Sequence, residues 1–161
     1  MVNLLNLTTA AAAASISILD HTQNFALDLV NGGCQSYTTV QQHSLASVSN
    51  QHWILSFAGP DQFLITNAGC GTTLTYAGSA TSANSIRSQT VAINGSTTIW
   101  TVTPVNATEP DGAYRFIENS SGNALTAWAN VPATDSTTAP LTLEQDRAAD
   151  PRQQFFLVNP V

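Results

Sequence analysis

Ala26-Leu27-Asp28-Leu29, Thr73-Leu74-Thr75-Tyr76 and Ala124-Leu125-Thr126-Ala127 are three versions of one short segment, with leucines 47 and 51 residues apart. Eight or nine residues upstream of each leucine ends an apolar run of strand character: Ile16-Ser17-Ile18-Leu19, Phe63-Leu64-Ile65 and Tyr114-Arg115-Phe116-Ile117. Turn formers lie between run and leucine, namely His21-Thr22-Gln23-Asn24, Asn67-Ala68-Gly69 and Asn119-Ser120-Ser121-Gly122, so each copy reads as a β-hairpin. A second pair of strands follows. It opens at Val40-Gln41-Gln42, Val91-Ala92-Ile93 and Leu141-Thr142-Leu143. It closes at Gln51-His52-Trp53-Ile54-Leu55, Thr98-Ile99-Trp100-Thr101-Val102 and Gln153-Gln154-Phe155-Phe156-Leu157. The aromatics Trp53, Trp100 and Phe155 are 47 and 55 residues apart. Two separate markers thus share one period, and strand alternation sets each aromatic on the side of its aliphatic neighbours.

A repeat of this length decides the architecture before any single element does. The reading is all-β, a single β-trefoil domain over residues 15–161 made of three pseudo-repeats of four strands at about 15–59, 60–106 and 110–161. No four-strand unit can bury its apolar face alone, and closing three around one axis also removes exposed sheet edges. Residues 1–14 are left as an N-terminal arm, where Ala10 to Ala14 favours helix but Thr8-Thr9 interrupts it.

Composition narrows the function. Charged residues are 9% of the chain, against roughly 25% in ordinary soluble domains, and 15 Ser, 21 Thr and 13 Asn supply the polar surface instead. The four cations are all Arg, set against 10 acids for a net charge of −6. Nucleic-acid binding needs clustered cations to displace phosphate counterions, so it is excluded, as is docking to anionic lipid. The longest apolar stretch, around Ala10 to Ala14, is far short of a ~20-residue membrane span.

Leucine-centred Ala26-Leu27-Asp28-Leu29 followed by Asn50-Gln51-His52-Trp53, with Gln-x-aromatic returning at Gln153-Gln154-Phe155, resembles the ricin B-type lectins, particularly their short cytoplasmic forms in fungi. The resemblance covers about residues 15–161 and implies carbohydrate binding without catalysis. It also implies that Gln51, Gln153, Trp53, Trp100 and Phe155 are structural. The sugar site it implies joins an Asp after the leucine, a ring at the end of the third strand and an Asn-Gln pair before the Trp. In this chain that is Asp28, Gln42, His43, Asn50 and Gln51. A fixed carboxylate would accept two hydroxyl protons of one sugar, an amide both donates and accepts, and a ring covers the apolar C–H face. His43 is smaller than the Trp or Tyr usual there.

The other two copies depart from this pattern. Thr75 and Thr126 replace the Asp, Thr97-Thr98 and Arg152-Gln153 replace the Asn-Gln pair, and Asn94 and Glu144 fall at the ring position. One site is therefore expected, recognising a terminal sugar of the galactose, N-acetylgalactosamine or mannose kind. A second, unorthodox site would use Trp128 beside Glu144; the rival reading packs Trp128 under the loop Val131 to Pro140.

An enzyme is not expected. A nucleophile needs a positioned base, paired acids would need a recurring spacing, and three histidines without ligand spacing make no zinc site. No cofactor is expected. The alternative function is a trefoil scaffold without sugar binding, such as a protease inhibitor or a companion subunit of an enzyme. Expected partners are glycans or glycoproteins, and a homodimer would add avidity to a single weak site. Cys34 and Cys70 read as two partly buried thiols, with a single bridge between them the other option. Residues 1–19 lack the basic region of a signal peptide, and the cytoplasm is the expected location.

Overall fold

A computed structural model describes residues 15–76, 88–109, 112–128 and 138–160; the arm 1–14 and most of the loop after Trp128 lie outside the described residues. Twelve strands occur among those described: β1 (Ser15–Leu19), β2 (Phe25–Leu29), β3 (Thr38–Ser44), β4 (Trp53–Gly59), β5 (Gln62–Asn67), β6 (Thr73–Tyr76), β7 (Ser88–Ile93), β8 (Trp100–Pro104), β9 (Tyr114–Glu118), β10 (Ala124–Ala127), β11 (Thr138–Glu144) and β12 (Phe156–Val158). All pairings are antiparallel. β1 pairs β4, β4 pairs β5, β5 pairs β8 and β8 pairs β9. β12 returns to β1, and a bridge between Tyr114 and Phe155 carries β9 to the start of β12, so the sheet closes on itself as a barrel. β2–β3, β6–β7 and β10–β11 form hairpins over one end. There β3, β7 and β11 pair with one another in a triangle, whose centre Thr90 ties by donating to the carbonyls of Val40 and Leu141 at 3.2 and 2.9 Å.

The repeated leucines and aromatics fill the barrel. Leu27, Leu74, Leu125, Trp53, Trp100 and Phe155 are fully buried beside Ile16, Phe63 and Phe116. Each indole also straps two strands, because a buried N–H left unpaired is costly. Trp53 Nε1 donates to Leu27 O and Trp100 Nε1 to Leu74 O, both at 3.0 Å and both 26 residues apart. Phe155, with no donor, packs edge-on against Phe116 at 5.6 Å.

The hairpin turns carry a further marker. Asp20, Asn67 and Glu118 are all buried and, like the leucines, stand 47 and 51 residues apart. Each side chain accepts from its own turn: Asp20 from Phe25 N–H and Thr22, Asn67 from Gly69 and Cys70 N–H, Glu118 from Ser120 and Ser121 N–H. Burial opposes ionisation of Glu118, but the hydrogen bonds from Ser120 and Ser121 prevail and hold its pKa below the usual carboxylate range.

Two expectations are corrected. The strands expected from Gln51 and Gln153 begin later, because Ser49–Gln51 and Pro151–Gln153 form single 3-10 turns whose glutamines fold back onto the preceding loop. Cys34 and Cys70 are not thiols but a disulfide, with Cα atoms 5.0 Å apart across a separation of 36 residues. Closing a loop of that length removes unfolded-state entropy worth about 4 kcal/mol.

Candidate functional site

β2 and β3 run side by side with Asp28 opposite Gln41 and Ala26 opposite His43. Pleating therefore sends Asp28, Gln41 and His43 to one face, and the 3-10 turn after β3 brings Asn50 and Gln51 up to it. Together with Asn31 and Val48 they line a cavity of about 240 Å³. Asp28 is its hub. The carboxylate accepts Gln41 Nε2 on Oδ1 at 3.2 Å, and Asn50 Nδ2 and Gln51 Nε2 on Oδ2 at 2.7 and 3.2 Å. An ionised carboxylate has about four acceptor sites, so one, on Oδ1, is left for a ligand rather than the two hydroxyls expected from sequence.

Asn50 also donates to Leu29 O at 3.3 Å. Gln51 is fully buried; it donates to Ser44 O at 3.0 Å and accepts Ala46 N–H at 2.8 Å, so at the cavity wall its amide is spent on positioning the loop. His43 lines the cavity, its Nδ1 3.1 Å from Ser44 O. Val48, 41% exposed, adds an apolar surface that sequence reasoning did not find.

Gln42 does not belong to the site. It lies opposite Leu27 and is fully buried, with neither Nε2 nor Oε1 hydrogen-bonded. The period of two along β3 places Gln41 and His43 together and Gln42 on the opposite face, a signal already present in the sequence. Asn31, at φ 52° in the left-handed turn after β2, was also missed; the Gly32-Gly33 pair beside it was the available sign.

The same place in the third copy holds a cavity of about 360 Å³ with different chemistry. Thr126 stands opposite Thr142 and Ala124 opposite Glu144. Gln153 repeats the work of Gln51, donating to Gln145 O at 2.9 Å and accepting Arg147 N–H at 2.8 Å. The two members of the unorthodox site do meet here: Trp128 Nε1 donates to Thr142 Oγ1 at 2.8 Å, which donates to Glu144 Oε1 at 2.9 Å. The indole is half-buried and carries the Arg152 guanidinium 4.3 Å from its centroid. Asp150 holds that guanidinium at 3.0 Å from Nε and 2.6 Å from Nη2. The hydrogen bond from Arg152 keeps Asp150 below its ordinary pKa, and the same bond raises Arg152. Packing of Trp128 under Val131 to Pro140 falls largely outside the described residues. In the second and third copies Thr75 and Thr126 turn their hydroxyls onto Thr73 O and Ala124 O at 2.8 and 3.1 Å. At the ring position of the second copy the register places Ile93, opposite Thr73, rather than Asn94.

Comparison with known proteins agrees with this architecture. No curated protein matches the sequence. The designed threefold-symmetric protein ThreeFoil superposes with a TM-score of 0.76 at 22% identity, covering 89% of this chain and 97% of that one. The ricin B-like lectin of Macrolepiota procera, solved in complex with lactose, gives 0.72 at 15% identity, over 94% and 99% of the two chains. The Rhizoctonia solani agglutinin gives 0.69 at 20% identity, over 93% and 97%. Likeness at these identities is one of fold, and the fold is β-trefoil-like. The model of the ricin-type beta-trefoil lectin domain-like family matches residues 49–138. That is more than half of the chain, and the protein belongs to this family.

Proposed function

We propose that this protein is a carbohydrate-binding lectin that holds one terminal sugar in the cavity of the first of three pseudo-repeats. The carrying observation is the joint placement of Asp28, Gln41, Asn50 and His43 around one open cavity, with Asp28 hydrogen-bonded to three amides. Asp28 Oδ1 takes one sugar hydroxyl, the Asn50 and Gln41 amides take neighbours, and His43 with Val48 covers the C–H face. A hexose has about twelve heavy atoms, and at roughly 0.3 kcal/mol each the affinity lies near the millimolar range. The family match and the lectin neighbours support sugar binding, and the lactose of one neighbour makes a galactose-type terminus the first choice over mannose.

The third-copy cavity is left out of this function because Arg152 lies on the Trp128 ring and Thr126 replaces the carboxylate. No catalytic step is assigned to the chain. A glycan array followed by retention on lactose- and mannose-agarose tests the reading. Binding eluted by free sugar is expected, and indifference to every sugar would move the function to a protein-binding scaffold. The Cys34–Cys70 bridge favours an oxidising compartment over the cytoplasm expected from the sequence. Alkylating intact cells before lysis tests it, since two modified cysteines fit a reducing compartment and none fits an oxidising one.

A further inference from the structure

Asn50 and Gln51 approach Asp28 from a 3-10 turn, and something must hold that turn in place. Among its contacts is Asn67, which comes from the neighbouring β5–β6 hairpin. Its Nδ2 donates to Asn50 O and to His52 O, both at 3.2 Å, gripping the backbone on either side of Gln51. Its Oδ1 is occupied by Gly69 and Cys70 N–H at 3.0 and 3.1 Å, so every hydrogen-bonding position of the amide is used. Of the three turn acceptors only Asn67 can do this, because Asp20 and Glu118 are carboxylates with nothing to donate.

The hairpin turn also presses on the site. A Cβ on Gly69 would stand 2.9 Å from Ser49 Oγ and 3.1 Å from Ser49 Cβ, so a larger residue there would push Ser49 and the turn that carries Asn50. The corresponding seam of the next copy is different: Asn119 N–H still reaches Ile99 O at 3.0 Å, as Ala68 N–H reaches His52 O at 2.8 Å. There, however, a groove of about 440 Å³ opens between Ser96, Thr97 and Asn119. One residue on from Gly69, Cys70 is bonded to Cys34, just past the Asn31-Gly32-Gly33 turn, whose Asn31 lines the cavity. Two segments of the lining, one bearing Asn31 and one bearing Asn50, are thus tied to a single turn of the second copy.

We propose that Asn67 and the Cys34–Cys70 bridge are positioning elements for the first-copy sugar site, which is therefore built across two copies and not within one. This rests on the sugar-binding reading above. Asn67→Asp keeps the acceptor for Gly69 and Cys70 but removes both donations and sets a carboxylate against two carbonyls.

The test is calorimetric titration of the full chain with lactose and with methyl α-mannoside, beside thermal midpoints, for the parent protein, Asn67→Asp, Glu118→Gln and Cys34→Ser/Cys70→Ser. Glu118→Gln perturbs the equivalent turn away from the site and controls for stability loss alone. Expected is an affinity loss of about tenfold or more for Asn67→Asp, as for a pair of lost hydrogen bonds, a smaller loss for the serine pair, and less than about twofold for Glu118→Gln. Equal losses in Asn67→Asp and Glu118→Gln, or no loss in Asn67→Asp, would overturn the positioning role. If Asn67→Asp does not fold, the serine pair decides by the same comparison. A parent protein that binds neither sugar overturns the sugar reading and this inference with it, and that outcome is distinct from binding that Asn67→Asp leaves unchanged.

Discussion

Replacing Asp28 by alanine removes more than a sugar ligand, and the structure gives the size of the effect. The carboxylate is 3% exposed and accepts three amide donors at 2.7 to 3.2 Å. Hydrogen bonds to a charged group contribute about 1.5–3 kcal/mol each, but the partners differ in what they lose. Gln41 and Asn50 are part-exposed and recover water, whereas Gln51 is fully buried and its Nε2 keeps only the bond to Ser44 O, leaving one N–H unpaired. The net cost is therefore about 2–4 kcal/mol, near one buried charged bond with a fraction of the others. For 161 residues the unfolding entropy near the midpoint is about 0.34 kcal/mol per degree, which converts this to a fall of roughly 6–12 °C. Scanning calorimetry measures the midpoint, and titration with the sugar selected on the array measures binding. Loss of the Oδ1 acceptor weakens binding by about tenfold or more, which takes a millimolar ligand out of reach. Asp28→Ala with an unchanged midpoint would refute the hub, and an unchanged affinity would refute the site.

Gln42→Met should raise stability by about 1–3 kcal/mol, because neither polar atom of this buried side chain has a partner; urea denaturation measures it, and a loss of stability would show that the amide is paired in solution. Acid should destabilise the fold through Glu118 and Asp150. Both carboxyls are held below their ordinary pKa values, so their contribution is complete above about pH 4.5 and is lost as pH falls through the folded-state values. Thermal midpoints between pH 7 and 3 report this, and Glu118→Gln should flatten the acid limb. Trp128→Ala should leave sugar affinity within about twofold, since its ring faces Arg152 in a separate cavity; a large loss by titration would move the site to the third copy. Cys34→Ser/Cys70→Ser should lower stability by about 4 kcal/mol at most, read by the same calorimetry.

The architecture was legible because it rests on side-chain period and on burial. Leu27, Leu74 and Leu125, with Trp53, Trp100 and Phe155, recur at intervals near fifty residues, and all six are fully buried. The turn acceptors Asp20, Asn67 and Glu118 share that period but not their residue type. What repeats is an acceptor atom at one place, which a comparison of letters does not register.

The site was legible only in part. Asp28, His43 and Asn50 were named from sequence and line one cavity, whereas Gln42 was drawn in by adjacency and strand alternation turned it inward. Composition and repeat period determined by themselves that the chain forms an all-β, charge-poor domain, and the resemblance marked the first copy as the one that keeps the Asp and Asn-Gln of the family's sugar site. Only the tertiary structure decided which neighbours of Asp28 face it, that its carboxylate is three-quarters occupied, that Cys34 meets Cys70, and that Asn67 reaches across from the next hairpin. Periodic burial is encoded locally, residue by residue along each strand. Hydrogen-bond partners drawn from segments 13 to 23 residues apart exist only once the barrel has closed and brought them within 3 Å or so of one another.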